Sequence, residues 1–272
     1  MELISVVMGV YNCENRIELV EQSVKSIINQ TYKNWELIIC NDGSTDQTYE
    51  YLRNRIAILD DRIKIISYSE NKGLAYASNF CIKHAKGNYI ARQDDDDISY
   101  PNRFEKEIMY LKNHKDIGFV GTNADVYSPK NGIWGEYIVP EKPTKDSFLW
   151  NSPFLHPSIM FRAESLVAVG GYRVAKETNR CEDYDLFMRM YAKGITGYNI
   201  QEKLCNYKIE NGNKKYRPLK VRIEEMKVRS YGFKNMKIGI KRYPYIIKPI
   251  LVGLIPQFVF KKIKEKQYGQ DK

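Results

Sequence analysis

An α/β fold built from parallel strand–helix–strand units is predicted by three observations. Short apolar runs of strand length alternate with segments of helical periodicity over the first 120 residues, and clusters of turn-forming residues separate the two. That alternation implies right-handed crossovers and a mostly parallel sheet covered by helices on both faces.

Residues 3–8 read as a buried strand, after which Ile17, Val20, Val24, Ile27 and Ile28 recur at helical spacing. Residues 35–40 form a second apolar run, ended by the turn and cap formers of residues 41–46. A helix over 48–59, a strand over 63–66, a helix over 75–86 and a strand over 89–92 continue the pattern. After Pro101 a helix runs to about Asn113, and a strand follows over 117–120. Residues 121–157 are looser, rich in Asn, Pro, Gly and aromatics. A strand over 158–161, a short helix over 164–169, a turn at Gly170 and Gly171, and a longer helix over 182–193 complete the expectation. A domain boundary is expected near 211–213, dividing a catalytic domain of residues 1–213 from a tail of residues 214–272.

The 272 residues suffice for one substantial core, and 43% hydrophobic with 28% charged residues is ordinary for a globular protein. Five cysteines without paired CxxC spacing suggest neither a disulfide framework nor a zinc site, which fits a reducing cytoplasm. The amino terminus lacks the pattern of a signal peptide. The net charge of +10 belongs to the tail: residues 214–272 hold 17 Lys and Arg against 4 Asp and Glu, whereas residues 1–213 hold 26 against 29.

Within that tail an uncharged stretch, 249–260, is bracketed by Lys241, Arg242 and Lys248 before it and by Lys261, Lys262, Lys264 and Lys266 after it. It is too short to span a bilayer, which needs roughly 20 apolar residues. It suits an anionic membrane surface contacted through 241–266, or a helix packed on the core with a solvated basic face. Nucleic acid is not the expected partner.

Ligands in such sheets sit beyond the carboxyl ends of the strands. The loops after the first, second and fourth strands, at 9–12, 41–44 and 93–97, therefore open on one edge. The last holds four consecutive aspartates, Asp94 to Asp97. Two carboxylates about 6 Å apart repel by about 3 kcal/mol at an effective dielectric near 20, so the run is expected to recruit a hard, oxygen-seeking cation, Mn2+ or Mg2+.

Five segments in order, residues 5–48, NKGLAYASN at 71–79, GNYIARQDDDDISYPNR at 87–103, HPSIMFR at 156–162 and CEDYDLFMRM at 181–190, resemble the inverting nucleotide-sugar glycosyltransferases of family 2. The resemblance covers roughly three quarters of the chain and implies the GT-A fold, a Rossmann-like mixed sheet, with a basic helical tail appended. It implies a donor site for a nucleoside diphosphate sugar, UDP-linked, in which Tyr11 contacts the base and Asp42 accepts a hydrogen bond from it. Tyr11 as a core aromatic, and Asp42 or Ser44 as helix caps, remain open.

The resemblance places the metal-binding DXD signature on the aspartate run, open in register by one residue. Asp96 is its direct ligand, Asp94 or Asp95 reaches the ribose or a metal-bound water, and Asp94 and His156 are further candidates for the metal. Asp97 is left to cap the segment leading to Pro101. Lys72 and Arg92, in adjoining loops, read as solvated surface cations. Asp183 corresponds to the base that takes the proton from the acceptor hydroxyl, with Glu182 and Asp185 orienting acceptor or sugar. Acids in a helix's first turn also serve its dipole.

The implied reaction transfers a sugar to a hydroxyl of a saccharide or lipid-linked saccharide with inversion, in bacterial surface polysaccharide assembly at the cytoplasmic face of the inner membrane. A non-catalytic nucleotide-sugar-binding protein and a sugar nucleotidyltransferase are the alternatives. The second lacks support, because the loop after the first strand is not the Gly-rich basic loop it requires.

Overall fold

The computed structural model describes residues 1–209 and 218–255. The expected boundary at 211–213 and the tail residues 256–272 lie outside them.

The chain runs β1 (Ile4–Val10), α1 (Ile17–Ile28), β2 (Trp35–Asp42), α2 (Thr48–Tyr51), β3 (Ile63–Tyr68), α3 (Leu74–His84), β4 (Tyr89–Arg92), β5 (Ile98–Ser99), α4 (Arg103–Asn113), β6 (Ile117–Ser128), β7 (Gly132–Tyr137), β8 (Met160–Arg162), α5 (Ala163–Val169), α6 (Glu182–Ala192), β9 (Thr196–Lys208), α7 (Leu219–Asn235) and α8 (Tyr243–Gly253). Among the described residues these strands form one sheet in the order β3-β2-β1-β4-β8-β6-β9-β5, with β7 paired to β6. Strands β3, β2, β1 and β4 are parallel, and β8 is antiparallel to both β4 and β6. The fold is thus mixed α/β, parallel where the first half of the sequence predicts it.

Side-chain alternation along β1 divides the core. Ile4, Val6, Met8 and Val10 face one layer with Val20, Val24 and Ile27 of α1 and Phe104, Ile108 and Leu111 of α4. Val7 faces the other, with Ala77 and Cys81 of α3, Leu186 and Phe187 of α6, and Val228 and Phe233 of α7. A period of two on the strand and near 3.6 on each helix produces this sandwich.

Several expectations need correction. The helix expected over 48–59 is α only to Tyr51, then passes through a wider π turn (Leu52–Ile56) and a 3₁₀ turn (Ala57–Leu59). Residues 121–157 are not uniformly loose: β6 continues to Ser128 and turns back as β7. The strand expected over 158–161 starts later, because His156–Ser158 is a 3₁₀ turn. Strand β9 was not expected at all. Its middle residues Gln201 and Glu202 are exposed, and its register against β6 shifts beside them, so no clean alternation marks it. Beyond it, α7 runs against α6 and buries Val228 and Phe233 there.

Candidate functional site

Because β2, β1 and β4 are parallel neighbours, the loops that follow them share one edge of the sheet. The first two are tied together. Asn12, at φ 43°, donates its amide to Ser44 Oγ at 3.0 Å and accepts the Thr45 amide at 2.9 Å, and the Cys13 amide reaches Thr48 Oγ1 at 2.7 Å. Tyr11 stands at the end of β1 with 42% of its surface exposed, so it is not a core aromatic.

Asp42 is buried, and its carboxylate accepts four hydrogen bonds: from the Tyr68 hydroxyl at 2.6 Å, Asn71 Nδ2 at 2.9 Å, and the amides of Lys72 at 2.8 Å and Gly73 at 3.0 Å. A carboxylate offers about four lone-pair sites, so Asp42 is saturated and fixes the entry to α3. The residue holding the entry to α2 is Asp46, whose Oδ1 accepts the Thr48 amide at 3.0 Å. Lys72 lies over the rings of Tyr68 and Tyr76.

The aspartate run is fastened by Gln93, whose Nε2 donates to the Asp97 carbonyl at 2.8 Å and whose Oε1 accepts from Ser99 at 2.7 Å and Arg103 at 3.0 Å. Each acid then meets a separate partner. Asp94 pairs with Arg92, Asp95 with Arg16 at 2.8 Å, and Asp96 with Lys208 at 3.4 Å, while Asp97 accepts the Lys208 amide at 2.8 Å. Asp97 therefore ties the run to β9 instead of capping the segment before Pro101. Arg92 is corrected from a surface cation to a side chain 1% exposed. Protein cations already offset part of the repulsion that the sequence alone assigns to a metal.

Burial pushes the Asp95 carboxyl up to about 6 although Arg16 opposes it. Burial likewise raises Asp97 well above the usual range, with Asp94 and Asp96 adding to the effect.

The late acidic segment opens α6. Asp185 is buried between Arg173 at 2.9 Å and Arg189 at 2.7 Å, which removes it from the acceptor-orienting role. Tyr184 is buried and donates to the Phe148 carbonyl. Glu182 and Asp183 remain partly exposed. Burial pushes Glu182 up to about 7, with Asp183 adding to it.

Tyr172 joins the two acidic segments. Burial raises its pKa against the opposing pull of Arg92, and Asp183, Glu182 and Asp94 all raise it further. Arg92 in turn acts on Asp94 and Glu182. The aspartate run and the start of α6 therefore lie close enough for Tyr172 and Arg92 to act on both.

His156 is buried 2.7 Å from the Tyr172 hydroxyl, and burial and Arg92 hold it neutral. Asp94, Asp96 and His156 do not converge: among the described residues, no three His, Cys, Asp or Glu side chains are placed to hold a metal. Asp96, with its side chain one-third exposed, fits a divalent ion held by one carboxylate plus diphosphate oxygens. Arg16, Lys208 and Tyr172 were missed in the sequence because they reach the site from other elements without a spacing rule.

Known proteins share the sequence pattern and the fold of this chain. Residues 5–170 match the family described as Glycosyl transferase family 2. The chain is 38% identical to the putative glycosyltransferase EpsE of Bacillus subtilis over 99% of its own length and 95% of the relative's. It is 30% identical, over 91% of each, to WfaP of Escherichia coli, a UDP-Glc:alpha-D-GlcNAc-diphosphoundecaprenol beta-1,3-glucosyltransferase. Its fold matches the mannosyltransferase PcManGT of Pyrobaculum calidifontis, solved with GDP-Man and Mn2+, at a TM-score of 0.61 and 18% identity, covering 98% of this chain and 76% of that one. The chain is a GT-A glycosyltransferase and belongs to glycosyl transferase family 2.

Proposed function

We propose that this enzyme transfers a sugar from a UDP-sugar to a hydroxyl of a lipid-linked saccharide, with inversion and with a divalent ion held at Asp96. The observation that carries the reading is the approach of the aspartate run and the Glu182–Asp183 pair to one another across Tyr172 and Arg92. Tyr11 offers an exposed ring for the base, and Asp42 sets the loop at 71–73 beside it. Asp94 and Asp95 line the approach to the ribose.

When bound, Mn2+ or Mg2+ supplies Lewis-acid stabilisation of the departing diphosphate. Asp183 takes the proton of the acceptor hydroxyl as the new bond forms, because a carboxylate with a reference pKa of roughly 4 is too weak a base to ionise an alcohol beforehand. Asp183 is half-buried at the start of α6 and next to Glu182, whose own carboxyl burial pushes up to about 7. Attack from the face opposite the leaving group inverts the anomeric centre in one displacement. His156 and Tyr172, buried and 2.7 Å apart, support this proposed site from below the surface.

The lipid-linked acceptor is supported by the name of the WfaP relative. We further propose a role at an anionic membrane surface, on the cytoplasmic side and in bacterial surface polysaccharide assembly; exposed Ile240, Tyr243 and Ile247 beside Lys241, Arg242 and Lys248 support the membrane contact. Part of the proposed surface, 256–266, lies outside the described residues. No described helix is long and apolar enough to cross a membrane.

A panel of nucleotide diphosphates with Mn2+, read as protection against thermal unfolding, tests the donor assignment. UDP at about a hundred times its Kd should stabilise the protein by about 2.7 kcal/mol. Asp96→Ala should lose the Mn2+-dependent part. Undiminished Mn2+-dependent protection in that variant contradicts the assignment.

A further inference from the structure

Immediately ahead of the Glu182–Asp183 segment lies a second feature that the transfer chemistry does not use. It is a cavity of about 200 Å³ lined by Lys176, Asn179, Arg180, Lys220, Val221 and Glu224. Elsewhere in this region the basic side chains are neutralised: Arg173 and Arg189 by Asp185, Arg229 by Glu225. Lys176, Arg180 and Lys220 form no ion pair with any described residue. The acid in the lining, Glu224, pairs with Lys227 at 3.0 Å, so the cavity keeps an excess of positive charge.

Its backbone is also unusual. Arg180 has φ 67°, a left-handed conformation that costs a non-glycine residue energy, and it stands three positions before Asp183. That conformation is fixed by the Cys181 amide, which reaches back to the Thr178 carbonyl at 2.8 Å.

An apolar surface adjoins the cations. Leu219 and Ile223, one helical turn apart on α7 and flanking Lys220, are 58% and 41% exposed. The end of α8 lies against the same turn of α7: Arg222 Nη1 donates to the Pro249 carbonyl at 2.9 Å, and a β-carbon at Gly253 would fall 2.8 Å from Arg222 Cδ. Leu251 and Leu254, 54% and 76% exposed, therefore extend from this corner.

We infer that the cavity receives the diphosphate of a lipid-diphosphate-linked acceptor, with the start of the lipid lying along Leu219, Ile223, Leu251 and Leu254. The inference rests on the lipid-linked acceptor proposed above and adds the place where it is gripped. Lysine and arginine suit phosphate oxygens through charge-assisted hydrogen bonds. A neutral saccharide would leave three cations unmatched, and a lipid without its diphosphate would use the apolar corner alone. The sugar attached to a diphosphate held here is presented next to Asp183, which places a hydroxyl of that sugar, and not of a distant one, at the base.

The test is binding of farnesyl diphosphate to the full-length protein by isothermal titration below the probe's aggregation concentration, with farnesol and inorganic pyrophosphate as separate arms. Farnesyl diphosphate should bind more tightly than either. Lys176→Glu with Lys220→Glu should weaken it by about tenfold or more, whereas Lys115→Glu with Lys130→Glu, exposed lysines outside the cavity, should leave it within about twofold. Unchanged affinity in the first pair overturns the site. Equal affinity for pyrophosphate overturns the lipid contact, and equal affinity for farnesol overturns the diphosphate contact. If the double reversal does not fold, single Lys176→Ala and Lys220→Ala replace it, each expected to weaken binding about threefold, and wild-type affinity in both overturns the site. The probe carries no sugar and needs no donor, so this result stands or falls separately from the transfer reaction.

Discussion

At the scale of single residues, burial sets the chemistry more than proximity does. Among the site acids, Asp95 and Glu182 are both raised chiefly by loss of water, although each has a charged neighbour. The acidic segments were legible in the sequence; the partners that hold them, such as Arg16 on Asp95 and Lys208 on Asp96, were not. Asp185 is read in the sequence as an orienting group because it stands in the same short motif as Asp183. Two helix positions separate them: Asp185 turns inward to Arg173 and Arg189, and Asp183 stays partly exposed.

A second buried acid gives a pH test away from the site. Burial pushes Glu107 up to about 7 despite its bond to Arg103 at 3.0 Å. The native state then keeps a proton that the unfolded chain releases near 4.5. This group's contribution to stability is greatest below about pH 4.5 and is lost as pH rises to about 7, by about 3 kcal/mol. Asp95 and Glu182 shift in the same direction, so the measurement is the difference between wild type and Glu107→Gln across that window. The variant should show the flatter thermal stability profile, and parallel profiles would contradict the burial argument.

At the scale of elements, the parallel half was readable because it obeys simple periods. The strand expected over 89–92 is β4, and the helix expected from Ile17 is α1. The half containing β6 to β9 was not, because β9 pairs with β6 through register shifts and β8 is only three residues long. The turn after β2 shows how closely the loops at this edge of the sheet are fitted. Gly43 has φ 61°, and a β-carbon there would lie 2.2 Å from the Glu70 carbonyl carbon. Gly43→Ala should therefore push the 70–73 loop away from Asp42, lowering stability by about 1–3 kcal/mol and weakening UDP binding more than it weakens Mn2+ binding. Chemical denaturation together with UDP titration checks both effects, and wild-type UDP affinity would show that this loop does not shape the donor site.

At the scale of the whole molecule, the aspartate run is carried by the parallel sheet and the Glu182–Asp183 pair by α6, which α7 buttresses through Phe233 and Val228. The described tail is thus part of the core on one face, and its other face exposes Ile240, Tyr243 and Ile247 among basic residues. The membrane association proposed above would use that second face. Ile240→Asp with Ile247→Asp should reduce partitioning onto phosphatidylglycerol vesicles by roughly tenfold, and added salt should release the wild-type protein. Sedimentation with vesicles checks this, and salt-insensitive binding equal in both proteins would remove the tail face from the account. The tail's charge was evident from composition, but its packing was not, since α7 carries polar residues around most of its circumference.

The central claim is that Asp183 serves as the base opposite a donor held by the aspartate run. It is tested most directly by measuring sugar transfer and Mn2+-dependent UDP affinity in Asp183→Asn. Transfer should fall by about 10³-fold while UDP affinity stays within about twofold of wild type. Retained transfer would contradict the claim, and so would a loss of UDP affinity as large as the loss of transfer.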